Sequence, residues 1–219
     1  MKKPNGLFVN VDLYTIEGID RAKNLGFVQS NLAEVGFTPF VNESSMLFDQ
    51  NHRGRIFTIM RNPVERIISL YYFLRLMDQK VKNQSLDEFI STFGENWMVR
   101  TITGSTVGPI DESHLNAAKE VLRRKVLIGL LDEKTESFRR FEEFLGFNLP
   151  SPLSDSCKNS ILYFNWHVKN PHPMPDNSDP ILAKIQKANS LDFQLYEYSK
   201  QLFQEQAVLF SPSKQRMDY

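Results

Sequence analysis

One short stretch constrains this chain more than any other. An apolar, β-rich segment runs from Arg55 to Met60, carrying Ile56, Phe57 and Ile59, and it stops at Arg61-Asn62-Pro63. A run of this kind suits an interior strand of a parallel sheet, buried on both faces. The residues after it encode the start of a helix. Asn62 suits the N-cap, Pro63 suits the first helical position, where a missing N–H costs nothing, and Glu65 stands where the acid of a capping box belongs. The helix then continues through Ile67, Ile68, Tyr71, Tyr72 and Leu74.

The same alternation recurs along the chain. Gly6 to Asp12 reads as a short buried strand, and Ile16 to Val35 as a helix carrying Ile19, Ala22, Leu25 and Leu32, interrupted near Gly26. Asp111 opens a helix with Leu115, Ala118 and Leu122 on one face and Arg123, Arg124 and Lys125 in its last turn, where cations are favoured. Val126 to Leu131 is a second interior strand. Asp132 is then expected to cap a helix with Phe138, Phe141 and Leu145 on one stripe, which Gly146 stops. Strand and helix in alternation imply an α/β domain with a parallel sheet. Six of the eleven prolines fall between Pro150 and Pro180, which predicts an irregular arm. Two helices follow, one built on Ile181, Ile185 and Ala188, the other on Leu191, Leu195, Tyr198 and Leu202. Residues 1–210 are thus expected to form one domain, and 211–219 a flexible tail.

Composition narrows the function. Of the 219 residues, 41% are hydrophobic and 24% charged, an ordinary globular balance. Basic and acidic residues are equal at 26 each, which argues against wholesale binding of nucleic acid or a membrane surface, so any anion site must be local. The single cysteine, Cys157, excludes an internal disulfide and a cysteine-cluster zinc site, and no metal is expected. The longest good apolar run, Val126 to Leu131, falls far short of the ~20 residues of a membrane span. The opening Met1-Lys2-Lys3-Pro4-Asn5-Gly6 makes a poor signal peptide and reads as a chain entered partway along a larger protein.

The chemistry concentrates at Arg61. A parallel strand would deliver it to the carboxyl edge of the sheet, where open α/β folds bind ligands. The helix that starts there adds N–H groups and a partial positive charge suited to phosphate, and Arg61 adds a planar, bidentate donor. Ser69 lies two turns along that helix with a hydroxyl, and Arg66 lies one turn before Ser69 on a neighbouring face. The same residues equally describe a solvated strand–helix corner with a tolerated helix serine.

Arg61-Asn62-Pro63-Val64-Glu65-Arg66, followed by Ser69-Leu70-Tyr71-Tyr72, resembles the 3′-phosphate-binding motif of the Golgi-type carbohydrate sulfotransferases. That motif is a strand, then Arg-Asp-Pro-x-x-Arg, then a helix with a serine and aromatics; Asn62 stands here for the usual Asp. Asn96-Trp-Met-Val-Arg100 before Gly104 resembles the family's Asn-x-x-x-Arg helix. Val126 to Leu131, Ser137 to Phe147, and Asn189-Ser-Leu-Asp192-Phe-Gln-Leu195-Tyr196 follow in the family's order. The resemblance covers residues from about 50 to 205. It implies a P-loop-NTPase-like three-layer sandwich with a central parallel sheet and flanking helices, lacking its first strand and loop. It also implies 3′-phosphoadenosine 5′-phosphosulfate (PAPS) as co-substrate, with Arg61 and Ser69 on its 3′-phosphate, a carbohydrate acceptor and the Golgi lumen. Asn96 and Arg100 would support acceptor or cofactor, or be structural; Asp192 and Tyr196 would pack and cap.

The family pattern also breaks. Its opening strand and lysine-containing loop, which grips the 5′-phosphosulfate, has no counterpart: Lys2, Lys3 and Lys23 lie in no such context. The expectation is that this element precedes Met1. No general base can be named among the histidines: His52 precedes the strand, His114 begins a helix, and His167 and His172 flank the proline-rich arm. Arg123, Arg124, Arg139 and Arg140 could line a groove for an acidic polymer. The rival to a PAPS-dependent enzyme is a catalytically inactive binding module on the same scaffold. A P-loop nucleotide kinase relative explains the Arg61 to Ser69 segment less well.

Overall fold

A computed structural model of the chain describes residues 10–93, 95–146 and 172–210. The chain divides into two compact units, Met1–Arg55 with Trp97–Val121, and Ile56–Asn96 with Leu122–Tyr219.

In the first unit, α1 (Ile16–Asn24) is capped by Thr15, whose hydroxyl accepts from the Gly18 N–H at 3.0 Å. The helix buries Ile19 and Ala22 against Leu47. It does not run on to Val35 as the pattern suggested. Gly26 turns left-handed at φ 61°, the Phe27 N–H returns to the Ala22 carbonyl at 2.9 Å and the Gly26 N–H to that of Lys23 at 3.0 Å. These are the two bonds of a Schellman stop, which ends the helix outright. Two short helices follow in this unit, α2 (Val41–Ser45) and later α6 (Trp97–Thr103), and they pack together. Of the strand expected over residues 6–12, only residues 10–12 are described, and they form none. Helix α7 (Glu112–Lys125) starts on Asp111, whose carboxylate accepts from the Ser113 N–H at 3.0 Å.

The second unit holds the sheet. β1 (Ile56–Met60) and β2 (Val126–Leu130) pair in parallel, Ile56 opposite Val126 and Met60 opposite Leu130. β2 is buried along its whole length, as its apolar run implied, whereas Ile59 of β1 is 40% exposed. Gly129 matters on β2 because the Phe141 ring lies on it: a Cβ there would sit 2.5 Å from Phe Cζ. The outer edge of β2 is closed by side chains. The Gln206 amide accepts from the Ile128 N–H at 2.9 Å and donates to the Val126 carbonyl at 2.8 Å. The Ser137 hydroxyl accepts from the Leu130 N–H at 2.9 Å and donates to the Leu130 carbonyl at 3.0 Å.

Helix α3 (Pro63–Met77) begins where the sequence places it, with the Asn62 side chain accepting from the Val64 N–H at 2.9 Å. Its buried stripe of Ile67, Ile68 and Tyr71 packs against Val81 of α4 (Gln79–Lys82), Phe89 and Ile90 of α5 (Leu86–Thr92) and Ile185 of α9 (Pro180–Ala188). Helix α8 (Lys134–Leu145) stops at Gly146, left-handed at φ 73°, but Asp132 does not cap it. Glu133 holds the N-cap position without a side-chain bond. Helix α10 (Ser190–Glu205) and a 3-10 turn (Gln206–Phe210) complete the unit. The fold is therefore mixed α/β, mostly helical, around a small two-stranded parallel sheet. Among the described residues no helix is long and apolar enough to cross a membrane.

Candidate functional site

The carboxyl edge of the sheet is where the sequence-predicted residues converge. The Leu131 N–H donates to the Met60 carbonyl at 2.9 Å, so pairing reaches past both strand ends, and Arg61 and Asp132 leave from the same edge. The Arg61 guanidinium is 29% exposed, and its Nε donates to Glu65 Oε2 at 3.2 Å; Glu65 is 41% exposed. Among the described residues this carboxylate is the only hydrogen-bonding partner of that guanidinium. The capping box expected of Glu65 is replaced by this ion pair.

The helix start gives an anion less than its dipole suggests. Pro63 has no N–H, the Val64 N–H is taken by the Asn62 side chain, and the Arg66 N–H by the Asn62 carbonyl at 2.9 Å. The Glu65 N–H is the first-turn donor left. Ser69 is half-buried on α3, four residues beyond Glu65 and so directly above it on one face. Glu65 thus touches Arg61, which precedes the helix, and stands one turn before Ser69 on it.

Arg66 faces the other way. Its Nη2 lies 3.5 Å from Asp192 Oδ2, with Asp192 fully buried and Arg66 16% exposed. Burial pushes the Arg66 guanidinium below its ordinary pKa, and the Asp192 charge draws it back up. Asn96, left-handed at φ 50°, accepts at Oδ1 from the Leu191 and Asp192 N–H groups at 2.9 and 3.2 Å, while its own N–H donates to Asn189 Oδ1 at 3.0 Å. It is the cap of α10. In the first unit, Arg100 Nη1 donates to the Ser105 and Gly108 carbonyls at 3.0 and 2.9 Å and braces that turn. Both therefore carry local structural bonds.

Tyr196, buried on α10, donates its hydroxyl to Asp132 Oδ2 at 2.9 Å. Burial first, then the Asp132 bond, raise the phenol pKa above its ordinary value, and the Glu65 charge adds to this. The edge accordingly carries one guanidinium, two carboxylates and a buried phenol. Glu65 and Asp132 were not singled out as site residues from the sequence. The four-residue spacing of Arg61 and Glu65 was a usable signal for the first, and a carboxylate just past a strand end for the second.

The remaining candidates have other partners. His52 Nδ1 lies 3.0 Å from Asp49 Oδ1, and His114 Nδ1 2.8 Å from Asp111 Oδ1. The His172 ring stacks on Tyr72 of α3 at 5.2 Å, and His167 lies outside the described residues, as do Lys2 and Lys3. Arg140 is no groove residue: 3% exposed, it donates to Glu136 at 2.8 Å and the Phe203 carbonyl at 2.6 Å. Arg139 is committed to Glu136 and Glu143.

No family model, curated protein or solved structure matches this chain.

Proposed function

We propose that the Arg61 edge is the 3′-phosphate site of a PAPS-dependent sulfotransferase domain acting on a carbohydrate hydroxyl, within a P-loop-like three-layer sandwich. The observation that carries this reading is a partly exposed guanidinium at the end of a parallel strand, with Ser69 on the helix that follows. Arg61 would supply charge-assisted bonds to the phosphate and Ser69 a hydroxyl. Bound there, PAPS would supply the sulfuryl group for transfer. Asp132 is exposed at the same edge, and the Tyr196 hydroxyl fixes one of its oxygens, which leaves the other able to take a proton.

Calorimetric titration with adenosine 3′,5′-bisphosphate, of wild type and Arg61→Ala, tests the reading. Wild type is expected to bind in the micromolar range, and the variant to lose at least about tenfold, the lower end of what hydrogen bonds to a charged group contribute. Equal affinity in the two proteins would remove Arg61 from the site. A non-enzymatic module that keeps the same scaffold and the Arg61 site is the second reading. It shares the Arg61 result and differs in lacking turnover of PAPS.

A further inference from the structure

We infer that Glu65 is a built-in competitor for the anion's place on Arg61, a latch that holds the guanidinium when no ligand does. The inference rests on the anion-site reading above and says how that site is regulated. Three observations support it. The Glu65 carboxylate is the one hydrogen-bonding partner of the Arg61 guanidinium among the described residues, at 3.2 Å. It also stands one helical turn before Ser69 on α3 while touching Arg61, which precedes the helix, so it borders both groups that the proposed anion would use. With both charges present the Arg61–Glu65 pair is neutral, and Asp132 adds a carboxylate at the same edge, so an anion gains the guanidinium only once Glu65 has turned aside.

Glu65 has somewhere to turn. It occupies the third position of α3, where a carboxylate can reach back to the N–H of the N-cap residue, here Asn62. A negative charge at that position is also favoured by the positive end of the helix dipole. The same side chain therefore has two places: on Arg61, as seen here, or on the Asn62 N–H, which would free the guanidinium. A ligand that binds only the second arrangement shifts the population toward it and loses affinity by the cost of the shift. The pair is 29% and 41% exposed, so that cost is small: ion pairs of this exposure move an equilibrium by about fivefold at most.

Glu65→Gln tests the latch because glutamine keeps the length and still serves a capping box, while losing the charge. Titrated with adenosine 3′,5′-bisphosphate, it is expected to bind about fivefold more tightly than wild type. In an Arg61→Ala background the same change is expected to give no gain, since nothing is left to release. Glu65→Ala, checked for helix content by circular dichroism, gives a second variant without the capping option. Equal or weaker binding by both Glu65 variants, with wild type binding normally, would overturn the latch and leave the anion site standing. Absence of binding by wild type and Glu65→Gln, both folded, would overturn the anion site and the latch with it.

Discussion

Asn96 holds the head of α10 with a single side chain. It adopts a left-handed backbone that few residues besides glycine and asparagine tolerate, and its Oδ1 takes two buried N–H groups at the head of α10. Asn96→Ala would leave both donors buried without an acceptor and strain the backbone. The expected loss is about 2 kcal/mol or more, read as a shift in the urea midpoint. Asp192 stays buried opposite Arg66 in that variant, so the loss should not extend to the ion pair. From the sequence, Asn96 could be recognised only as part of an Asn-x-x-x-Arg pattern. Its partners lie 95 and 96 residues away, and no local pattern reports a cap delivered from that distance. The placement of Arg61 at the strand end and of Ser69 on α3 was legible because strand end, cap and helix are written in consecutive residues. The diversion of Glu65 was not, because one carboxylate had two plausible partners and only the folded corner decides between them.

At the scale of elements, the signals that worked were local ones. Asn62 and Pro63 start α3, the apolar run of Val126 to Leu130 is a buried strand, and Gly146 ends α8, each within a residue or two of expectation. Where the pattern failed, a neighbouring group claimed the residue. Asp132 is drawn to Tyr196 and so does not cap α8, and the Schellman bonds at Gly26 stop α1 before its apolar spacing runs out. Gly129 shows the converse, a residue whose reason appears only on packing. Because a Cβ would press on the Phe141 ring, Gly129→Ala should cost about 1–3 kcal/mol, the usual penalty for overfilling a core. Thermal unfolding of Gly129→Ala beside Gly129→Ala/Phe141→Leu checks the cause: the smaller side chain should relieve most of the loss due to the glycine change.

At the scale of the whole molecule, the two parallel strands among the described residues are too little sheet to stand alone, so they depend on the helices packed on them. Among the described residues, the buried cluster around α1 has three members, Ile19, Ala22 and Leu47, whereas β2 is buried at all five of its residues. Native-state hydrogen exchange should separate the two. The amides of β2 are expected to open only with global unfolding, and those of α1 through cheaper local events. Equal opening energies for α1 and β2 would contradict this difference in burial.

The closure of the β2 edge has a consequence for how the protein is made. Ser137 follows Leu130 by 7 residues and guards that end almost at once, but Gln206 follows Ile128 by 78. At a synthesis rate of ~5–20 residues per second, the newly made strand waits roughly 4–16 s for the amide that will cover it. During that interval the nascent chain presents bare N–H and C=O groups on an apolar strand, a template for pairing with its neighbours on the same message. The finished protein carries no trace of this exposure, yet crowding of ribosomes and access of chaperones during those seconds would govern how much of it is ever finished.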